Sequence, residues 1–328
     1  MKAALFNSFG AASDVLQVVE CDKPQPGHGE VLVRMHTSGV NPSDTKKRAG
    51  AFPHLLDNGP VIPNSDGAGV IEAVGMGVAF SRIGERVWVY QAQFARLHGS
   101  AAQYVSIDSS RAITLPDNTS FAQGACLGIP AMTAHRCVFA DGPVKGQTIF
   151  ITGGAGRVGH YAIQWAKQSG AIVITSASND KSRQECIAAG ADCVVDHSDL
   201  EMVSQVLNFT KGAKVDRVID AEFGANLSNT LDLLRVGGTI ASYSSTVVSE
   251  PVLPFKQMMF MDITIRLIIV YAMPEAAKQA AIVDITEALH KNSLQHRVTS
   301  RYPLEKIAQA NDYLEQGGFY GCVIIDID

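Results

Sequence analysis

The segment Thr148–Gly159 constrains the fold most strongly, because an apolar strand runs directly into a glycine-rich turn. Apolar residues at helical spacing follow the turn. A strand, such a turn and a helix N-terminus together let main-chain amides approach a pyrophosphate closely. The pattern therefore predicts a dinucleotide-binding turn. Its predicted cofactor-binding residues are Gly154, Ala155, Gly156, Arg157, Val158 and Gly159.

Helices and strands alternate after this turn. The first helix is predicted to end near Ser169, with Gly170 placed for a left-handed cap. Strands are predicted at 172–176, 193–196, 215–220 and 239–243. The helix before the last of these is expected to reach Leu234 and to be broken by Gly237 and Gly238. Alternation at these lengths is typical of βαβ crossovers in a Rossmann doubly wound parallel sheet, so an α/β fold is predicted.

The first 125 or so residues show a different pattern, in which short strands are separated by Gly, Pro and Asp turns. Strands at 31–36, 69–74, 86–90 and 103–107 indicate a compact, partly closed β domain. Near the other end, helices over 281–291 and 304–316 precede a strand at 322–326 that can complete the sheet of this domain. Two domains are predicted: residues 1–126 plus 271–328, and a nucleotide-binding domain of residues 127–270.

Composition excludes several classes of partner. The net charge is −5 and the chain has no basic block, so nucleic acid is not expected. Residues 1–8 meet polar side chains too early for a signal peptide, and the apolar run 267–273 is too short to span a bilayer. A cytoplasmic protein without membrane contact is expected. The six cysteines form no CxxC pair, which favours reduced, mostly buried thiols.

Several separate stretches together carry a resemblance to a known family. They are Gly39–Asp44, Ile62–Gly69, Gly84–Trp88, Leu127–Thr133, the glycine turn and Tyr302–Lys306. Over essentially its whole length the chain resembles the zeta-crystallin-like quinone oxidoreductase family, the zinc-free branch of the medium-chain dehydrogenase/reductase superfamily. The resemblance implies a GroES-like β-barrel catalytic domain, an inserted Rossmann domain and a cofactor in the cleft between them.

Zinc-dependent members of this superfamily carry Cys at the position of Asn41, His at the position of Ser65 and a further Cys near Leu127. Neither Asn41 nor Ser65 offers a thiolate or an imidazole, and catalytic zinc needs three good protein ligands. His135 and Cys137 are interpreted as packing residues. No metal is expected. Without a Lewis acid, reduction of an electron-poor acceptor is favoured over alcohol oxidation.

The choice of nicotinamide cofactor depends on the end of the second strand. Selectivity for NAD usually needs a carboxylate about 20 residues into the motif, yet residues 176–179 contain no acid. Hydroxyls and a following cation suit a 2′-phosphate, so NADPH is favoured over NADH. A solvated helix start capped by Ser178 or Asn179 remains an alternative. The resemblance places His197 where relatives often hold the adenosine with Tyr. The residues predicted to bind this end of the cofactor are Ser176, Ser178, Lys181 and His197.

The resemblance also implies residues near the nicotinamide. Asn41 can orient the carboxamide or the acceptor carbonyl, whereas Asp44 is expected to hold the turn at the start of its helix. Thr133 is a cofactor-binding candidate, with a helix-start hydroxyl as the alternative. Phe52 offers a flat apolar face for a ring, although a lone aromatic residue is more often part of a core. The catalytic candidates are thus Asn41, Asp44 and Phe52.

These observations predict an NADPH-dependent, zinc-independent reductase of a small-molecule quinone or similar conjugated carbonyl. One alternative is a double-bond reductase for enals, enones or enoyl thioesters, which needs a proton for the alpha carbon. Another is an NADPH-binding structural or regulatory protein. The resemblance further implies a homodimer that pairs through an edge strand at 263–270, whose apolar length favours burial.

Overall fold

A computed structural model describes residues 1–327 of the chain. The chain divides into two compact units, one formed by Met1–Ile129 together with the segment from Ile282 onward, the other by Pro130–Ala281. The strands are β1 Lys2–Leu5, β2 Gln17–Glu20, β3 Glu30–Val40, β4 Asp66–Val74, β5 Arg86–Val89, β6 Tyr104–Asp108, β7 Ala112–Thr114, β8 Thr148–Ile151, β9 Ile172–Ala177, β10 Cys193–Asp196, β11 Val215–Asp220, β12 Leu234–Ser242, β13 Thr264–Leu267, β14 Val298–Pro303 and β15 Cys322–Asp326.

Helices connect these strands in both units. They are α1 Ala12–Val15, α2 Pro42–Arg48, α3 Phe121–Gly124, α4 Met132–Phe139, α5 Arg157–Gln168, α6 Asp180–Ala188, α7 Met202–Phe209, α8 Phe223–Leu233, α9 Phe255–Phe260, α10 Glu275–His290 and α11 Ile307–Gln316. Shorter 3₁₀ turns lie at Pro53–Leu56, Phe80–Arg82, Ser109–Arg111, Val270–Ala272 and Leu304–Lys306, and a π-helical turn lies at Leu127–Ala131.

The first unit is built on a seven-stranded sheet with the order β14-β15-β3-β4-β5-β7, in which β6 pairs with β3. The strand β3 lies at its centre, and its apolar side chains such as Val31 and Val33 are fully buried. The late strand β15 pairs antiparallel with β3, opposite Val40. The prediction that a terminal strand completes the sheet of the first domain is therefore confirmed.

The second unit contains a six-stranded sheet with the order β10-β9-β8-β11-β12-β13, and all neighbouring pairs are parallel. The order reverses between β8 and β11, which is the topological switch point of a doubly wound sheet. Carboxyl ends of parallel strands meet at one edge, so residues that follow β8, β9, β10 and β11 share that edge. The predicted Rossmann architecture is confirmed.

Local signals located most of these elements correctly. The helix α5 ends at Gln168 with Ser169 as its C-cap, and Gly170 adopts the left-handed conformation with φ of +80°. The predicted break at Gly237–Gly238 is wrong, because α8 already ends at Leu233 and both glycines lie within β12. Gly237 has φ of +71° there, so the glycine serves an irregular strand and not a helix end.

Two further boundaries differ from the predictions. The edge strand is shorter than 263–270, because pairing with β12 extends from Thr264 to Leu267 and a 3₁₀ turn begins at Val270. The helix expected over 281–291 begins earlier, at Glu275. Its first turn contains two alanines, which are strong helix formers but carry a weak periodic signal.

Arg266 of β13 has a partner within its own unit. Its guanidinium donates to Asp141, which also accepts a hydrogen bond of 3.0 Å from Arg217 of β11. Arg217 is almost fully buried, and its second nitrogen donates to the carbonyl of Cys137 at 3.0 Å. The two arginines hold the pKa of Asp141 below its usual range, although burial acts in the opposite direction. The three charges tie the end of α4 to two strands of the sheet.

Among residues 1–327, no helix is both long enough and apolar enough to cross a membrane. The six cysteines of the chain are free thiols, and Cys126, Cys137, Cys186 and Cys322 are buried.

Candidate functional site

The glycine turn lies between β8 and α5 and is braced by the neighbouring strand β9. Gly153 has a left-handed φ of +62°. Its N–H donates to Ser176 Oγ at 3.1 Å, and the N–H of Gly154 donates to the Ser176 carbonyl at 3.1 Å. The turn is therefore held against the end of β9 before any ligand binds.

Two of the three motif glycines are required by close packing within the protein. A Cβ at Gly154 would lie 2.0 Å from Thr175 Oγ1. A Cβ at Gly159 would lie 2.5 Å from the carbonyl oxygen of Gly153, which is main chain and cannot move aside easily. These distances are far inside normal contact, so both positions let the helix and the strand approach the turn.

Gly156 differs from these two glycines because only one atom would lie within 4 Å of its hypothetical Cβ. Its hypothetical Cβ would meet a single neighbour, the Gly153 carbonyl oxygen at 3.1 Å, and its φ of −65° suits any residue. This contact is tight but far milder than those at Gly154 and Gly159, so packing within the fold requires glycine least at this position. Gly156 is the N-cap of the twelve-residue helix α5, whose first-turn amide N–H groups lack partners within the helix and carry the positive end of its dipole. This cradle fits a pyrophosphate.

Arg157, Val158 and Gly159 form the first turn of α5, and Ala155 is buried beneath it. The residues predicted to bind the adenosine end lie along the same edge of the sheet. Ser176 is buried, and its hydroxyl braces the turn through Gly153. Ser178 and Lys181 are exposed between β9 and the first turn of α6, and His197 is exposed directly after β10. Of the two serines, Ser178 therefore presents the exposed hydroxyl.

The start of α6 is capped by Asn179, whose side chain accepts the Ser182 N–H at 2.9 Å. This is one of the two residues that the capping alternative named. The cap leaves the first-turn position of Lys181 on the surface. Arg183 points elsewhere, because its guanidinium donates to the carbonyl of Val194 in β10.

Asp220 lies at the switch point, at the end of β11, and was not among the residues indicated by the sequence. Its Oδ1 accepts hydrogen bonds from Thr152 Oγ1 at 2.8 Å, from the Glu222 N–H at 2.9 Å and from Asn226 Nδ2 at 2.8 Å. Glu222 in turn accepts the N–H of Thr246 at 2.8 Å. These carboxylates order the loops that follow β8, β11 and β12, where open α/β sheets bind their ligands.

In the first unit, Asn41 and Asp44 meet at the start of α2. Asn41 is the N-cap, and its N–H donates to Asp44 Oδ2 at 2.9 Å. Asp44 thus holds the turn at the helix start, and both residues are buried. The carboxylate also lies in the first turn of the helix, where the dipole favours negative charge.

Two buried titratable residues beside this turn, Asp66 and Lys47, were missed by the sequence pattern. Asn41 Nδ2 donates to Asp66 Oδ2 at 2.9 Å, and the same oxygen accepts the Ile129 N–H at 2.7 Å. Lys47 is buried one turn along α2 and donates to the Gln93 carbonyl at 2.7 Å and to Gln93 Oε1 at 2.8 Å. Burial lowers the pKa of Lys47. Asp66 could have been noticed because it is the carboxylate within Ile62–Gly69. That stretch was used only as part of the family resemblance.

The donor set at this place does not fit zinc. Ser65, which stands where zinc-dependent relatives carry His, lies 3.5 Å from the ammonium of Lys47, measured between Oγ and Nζ. A buried ammonium repels a divalent cation, and an amide and a hydroxyl are poor zinc ligands. Within residues 1–327, no group of three or more His, Cys, Asp or Glu side chains is arranged to hold a metal ion.

The remaining candidates occupy separate positions. Thr133 is the second residue of α4 and is buried, and Phe52 precedes a 3₁₀ turn with 44% of its surface exposed. His135 packs against Phe139 and, edge to face, against Trp165, with ring centroids 4.7 and 5.6 Å apart respectively. Burial raises the pKa of Cys137 to about 12, so this thiol stays protonated. The ring contacts of His135 and the burial of Cys137 are those of packing residues.

Two family models match the chain. The model described as alcohol dehydrogenase GroES-like domain matches residues 27–117, and the model described as zinc-binding dehydrogenase matches residues 158–286. The first range contains Asn41 and Ser65, whereas the second lies wholly outside the positions that hold catalytic zinc in relatives. The two halves of the fold are thus those of the medium-chain dehydrogenases.

Individual proteins are similar over nearly the full length. The chain is 29% identical to the quinone oxidoreductase of Rattus norvegicus over 332 residues, which cover 99% of this chain and 97% of the rat protein. It is 30% identical to the quinone oxidoreductase of Mus musculus over 324 residues, 97% of this chain and 95% of the mouse protein. A mycobacterial protein solved in complex with NADPH superposes with a TM-score of 0.87 at 28% identity, covering 99% of this chain and 100% of that one.

The chain therefore belongs to the zeta-crystallin-like quinone oxidoreductase family of the medium-chain dehydrogenase/reductase superfamily. The predicted family, fold class and quinone oxidoreductase-like type of enzyme are confirmed.

Proposed function

We propose that this protein is an NADPH-dependent, zinc-independent reductase that transfers hydride to a quinone or a similar conjugated carbonyl. The observation that carries the proposal is Gly156, the motif glycine that packing within the fold requires least, at the N-terminus of α5. The similarity to quinone oxidoreductases, and to a protein solved with NADPH, supports the same function.

The chemistry of each residue suits a different part of the cofactor. Amides of the glycine turn and of the first turn of α5 suit the pyrophosphate. Ser178 and Lys181 offer an exposed hydroxyl and a cation for a 2′-phosphate, and residues 176–179 contain no carboxylate that would repel it. When bound, NADPH supplies the hydride. Asn41 orients the carboxamide or the acceptor carbonyl, and Asp44 keeps its turn in place.

The residue types near Asn41 favour an acceptor that needs no Lewis acid. A quinone is electron-poor already and takes its second proton readily from water, so it demands orientation and a dry pocket more than an acid. Phe52, which is exposed, offers a flat face on which such a ring can stack. Alcohol oxidation without a metal lacks the means to lower the pKa of the alcohol.

The direct test is stopped-flow loss of NADPH absorbance with small quinones, enals and enones, on protein whose zinc content has been measured. Turnover of quinones by zinc-free protein is the expected result. Absence of turnover with all three acceptor classes, or activity that requires stoichiometric zinc, refutes the proposal. Tight NADPH binding with negligible turnover would instead support the structural or regulatory alternative.

A double-bond reductase is the second candidate, because the structure contains a carboxyl group suited to retaining a proton. Burial raises the pKa of Asp66 to about 8, and this residue contacts Asn41. Reduction of an enal or enone needs a proton at the alpha carbon, which a quinone does not. A solvent isotope effect on enone reduction that disappears in Asp66→Asn favours this candidate, and efficient quinone turnover by the same variant favours the first.

We also propose a homodimer that pairs through β13, the last strand of the six-stranded sheet. Leu267 is 72% exposed and Ile269 is 53% exposed at this edge, and exposed apolar edges otherwise aggregate. The positive charge of Arg266 is compensated by Asp141, to which its guanidinium donates, so this charge does not oppose the pairing. Light scattering at micromolar concentration tests the proposal, and a monomer contradicts it. The cytoplasmic location stays a prediction.

A further inference from the structure

The carboxyl group of Asp66 is an unusual feature of the first unit. It is 0% exposed at the first position of β4, and its two oxygens have different surroundings. Oδ2 accepts two N–H donors, from the side chain of Asn41 and from the main chain of Ile129. Oδ1 has no hydrogen-bond partner among residues 1–327, and a Cβ at Gly128 would lie 2.1 Å from it.

Charged groups reach Asp66 from α2, whereas the π-helical turn contributes an amide. The carboxylate of Asp44 disfavours ionisation of Asp66, and the buried ammonium of Lys47 favours it. Desolvation is the largest influence and acts in the same direction as Asp44. Together they outweigh Lys47 and the hydrogen bonds from Ile129 and Asn41, so the pKa of Asp66 is raised to about 8 and the carboxyl group holds a proton at neutral pH. Because Oδ2 accepts two donors, that proton resides on Oδ1.

The hydrogen bond to Asp66 also fixes which way Asn41 faces. A carboxyl oxygen that already accepts the Ile129 N–H can pair with Asn41 only through the amide NH₂ group. The amide oxygen of Asn41 is thereby turned away from Asp66. An unbound asparagine amide can rotate and exchange its donor and acceptor ends, so this contact removes that freedom.

We propose that Asp66 is a positioning residue for the reaction, which fixes the side-chain amide of Asn41, and that Lys47 is the buried counter-cation of this cluster. The role of the positioned amide rests on the proposed function, in which Asn41 orients the carboxamide or the acceptor carbonyl. The hydrogen-bond geometry itself does not depend on that function.

Three variants separate positioning from stability. Asp66→Asn keeps the shape and an acceptor oxygen, and it resembles the protonated acid, so kcat/KM at neutral pH should stay within about threefold of wild type. Asp66→Ala removes the acceptor and should lower kcat/KM about 10- to 100-fold, because a displaced orienting group is costly. Ser100→Ala is the matched control. Ser100 Oγ donates to the main-chain carbonyl of Asp66 at 2.6 Å, so its loss disturbs the same strand without touching the carboxyl group.

A second measurement does not need turnover. In ¹H–¹⁵N spectra, the Asn41 side-chain NH₂ signal, assigned with an Asn41→Ser variant, should shift with a midpoint near pH 8 as Asp66 ionises. The shift should vanish in Asp66→Asn and persist in Ser100→Ala. A signal that ignores pH, or one that titrates equally in Asp66→Asn, overturns the proposal.

The kinetic outcomes are equally distinct. Equal losses in Asp66→Ala and Ser100→Ala refute positioning, as does full activity of Asp66→Ala. If wild-type protein turns over no acceptor, the proposed function fails, while the NMR titration still decides whether Asp66 holds Asn41.

Discussion

Replacing Gly156 and Gly159 separately by alanine tests whether the glycine turn is built for a ligand or for the fold. The two positions lie three residues apart in the same turn and helix, yet their surroundings differ. A Cβ at Gly159 would lie 2.5 Å from the Gly153 carbonyl oxygen and 2.8 Å from the Gly154 Cα. A Cβ at Gly156 would lie 3.1 Å from one carbonyl oxygen, with open space elsewhere.

The expected magnitudes follow from these contacts. Gly159→Ala forces main-chain atoms apart, so we expect the free energy of unfolding to fall by about 1–3 kcal/mol. Gly156→Ala suits the φ of −65° and requires only a small shift of the Gly153 carbonyl, so its stability should remain within about 0.5 kcal/mol of wild type. The same methyl group would occupy the space through which a pyrophosphate approaches. We therefore expect the Kd for NADPH to rise at least about tenfold, equivalent to about 1.4 kcal/mol.

Urea denaturation and isothermal titration calorimetry with NADPH measure the two quantities. The reasoning predicts that Gly156→Ala loses affinity without losing stability, whereas Gly159→Ala loses stability. A Gly156→Ala protein that binds NADPH as tightly as wild type refutes the ligand role of this position. If Gly156→Ala is as unstable as Gly159→Ala, then glycine at position 156 is required by packing within the fold and not by a ligand.

Three further results are expected. Lys181→Ala should raise KM for NADPH about fivefold and leave KM for NADH unchanged, since only NADPH carries the 2′-phosphate; equal effects in steady-state assays contradict this contact. The pKa of Asp66 is raised from 3.8 to about 8, so between these pH values the folded state binds more protons than the unfolded state. The free energy of unfolding should therefore fall as the pH rises through this range, by up to about 1.4 kcal/mol per pH unit. Urea titrations of Asp66→Asn should lack this component, and identical slopes would disprove it. Leu267→Lys should give a monomer by light scattering if β13 forms the dimer edge; an intact dimer places the interface elsewhere.

Much of the fold was predictable because its signals are local. Glycine positions, apolar spacing and turn residues located β8 to β11 and the end of α5. The errors fell where local signals conflict with tertiary packing. Gly237 and Gly238 are typical helix breakers, yet Gly237 serves an irregularity in β12, beside a strand pairing whose register shifts between Val215 and Arg217. Propensity alone cannot distinguish a helix end from a strand irregularity.

The candidate site was predictable in one half and incomplete in the other. The dinucleotide turn is a contiguous segment, so its residues can be recognised from their spacing in the sequence. The cluster around Asn41 joins residues that are distant along the chain. Asp66 is 25 residues from Asn41 and 63 from Ile129, and the buried Lys47 gives no periodic signal that distinguishes it from a surface lysine. Burial, and not residue type, distinguishes these two titratable groups from ordinary surface residues.

The sequence by itself determined the strand, glycine turn and helix of the dinucleotide site, because the backbone geometry there depends on residues next to one another. It also determined that the zinc-ligand positions hold an amide and a hydroxyl. The tertiary structure decided which titratable groups are removed from water and which groups they contact: Asp66 with Asn41, and Asp141 with Arg266 across 125 residues. Desolvation and pairing depend on distance in space, and that distance exists only after the chain has folded.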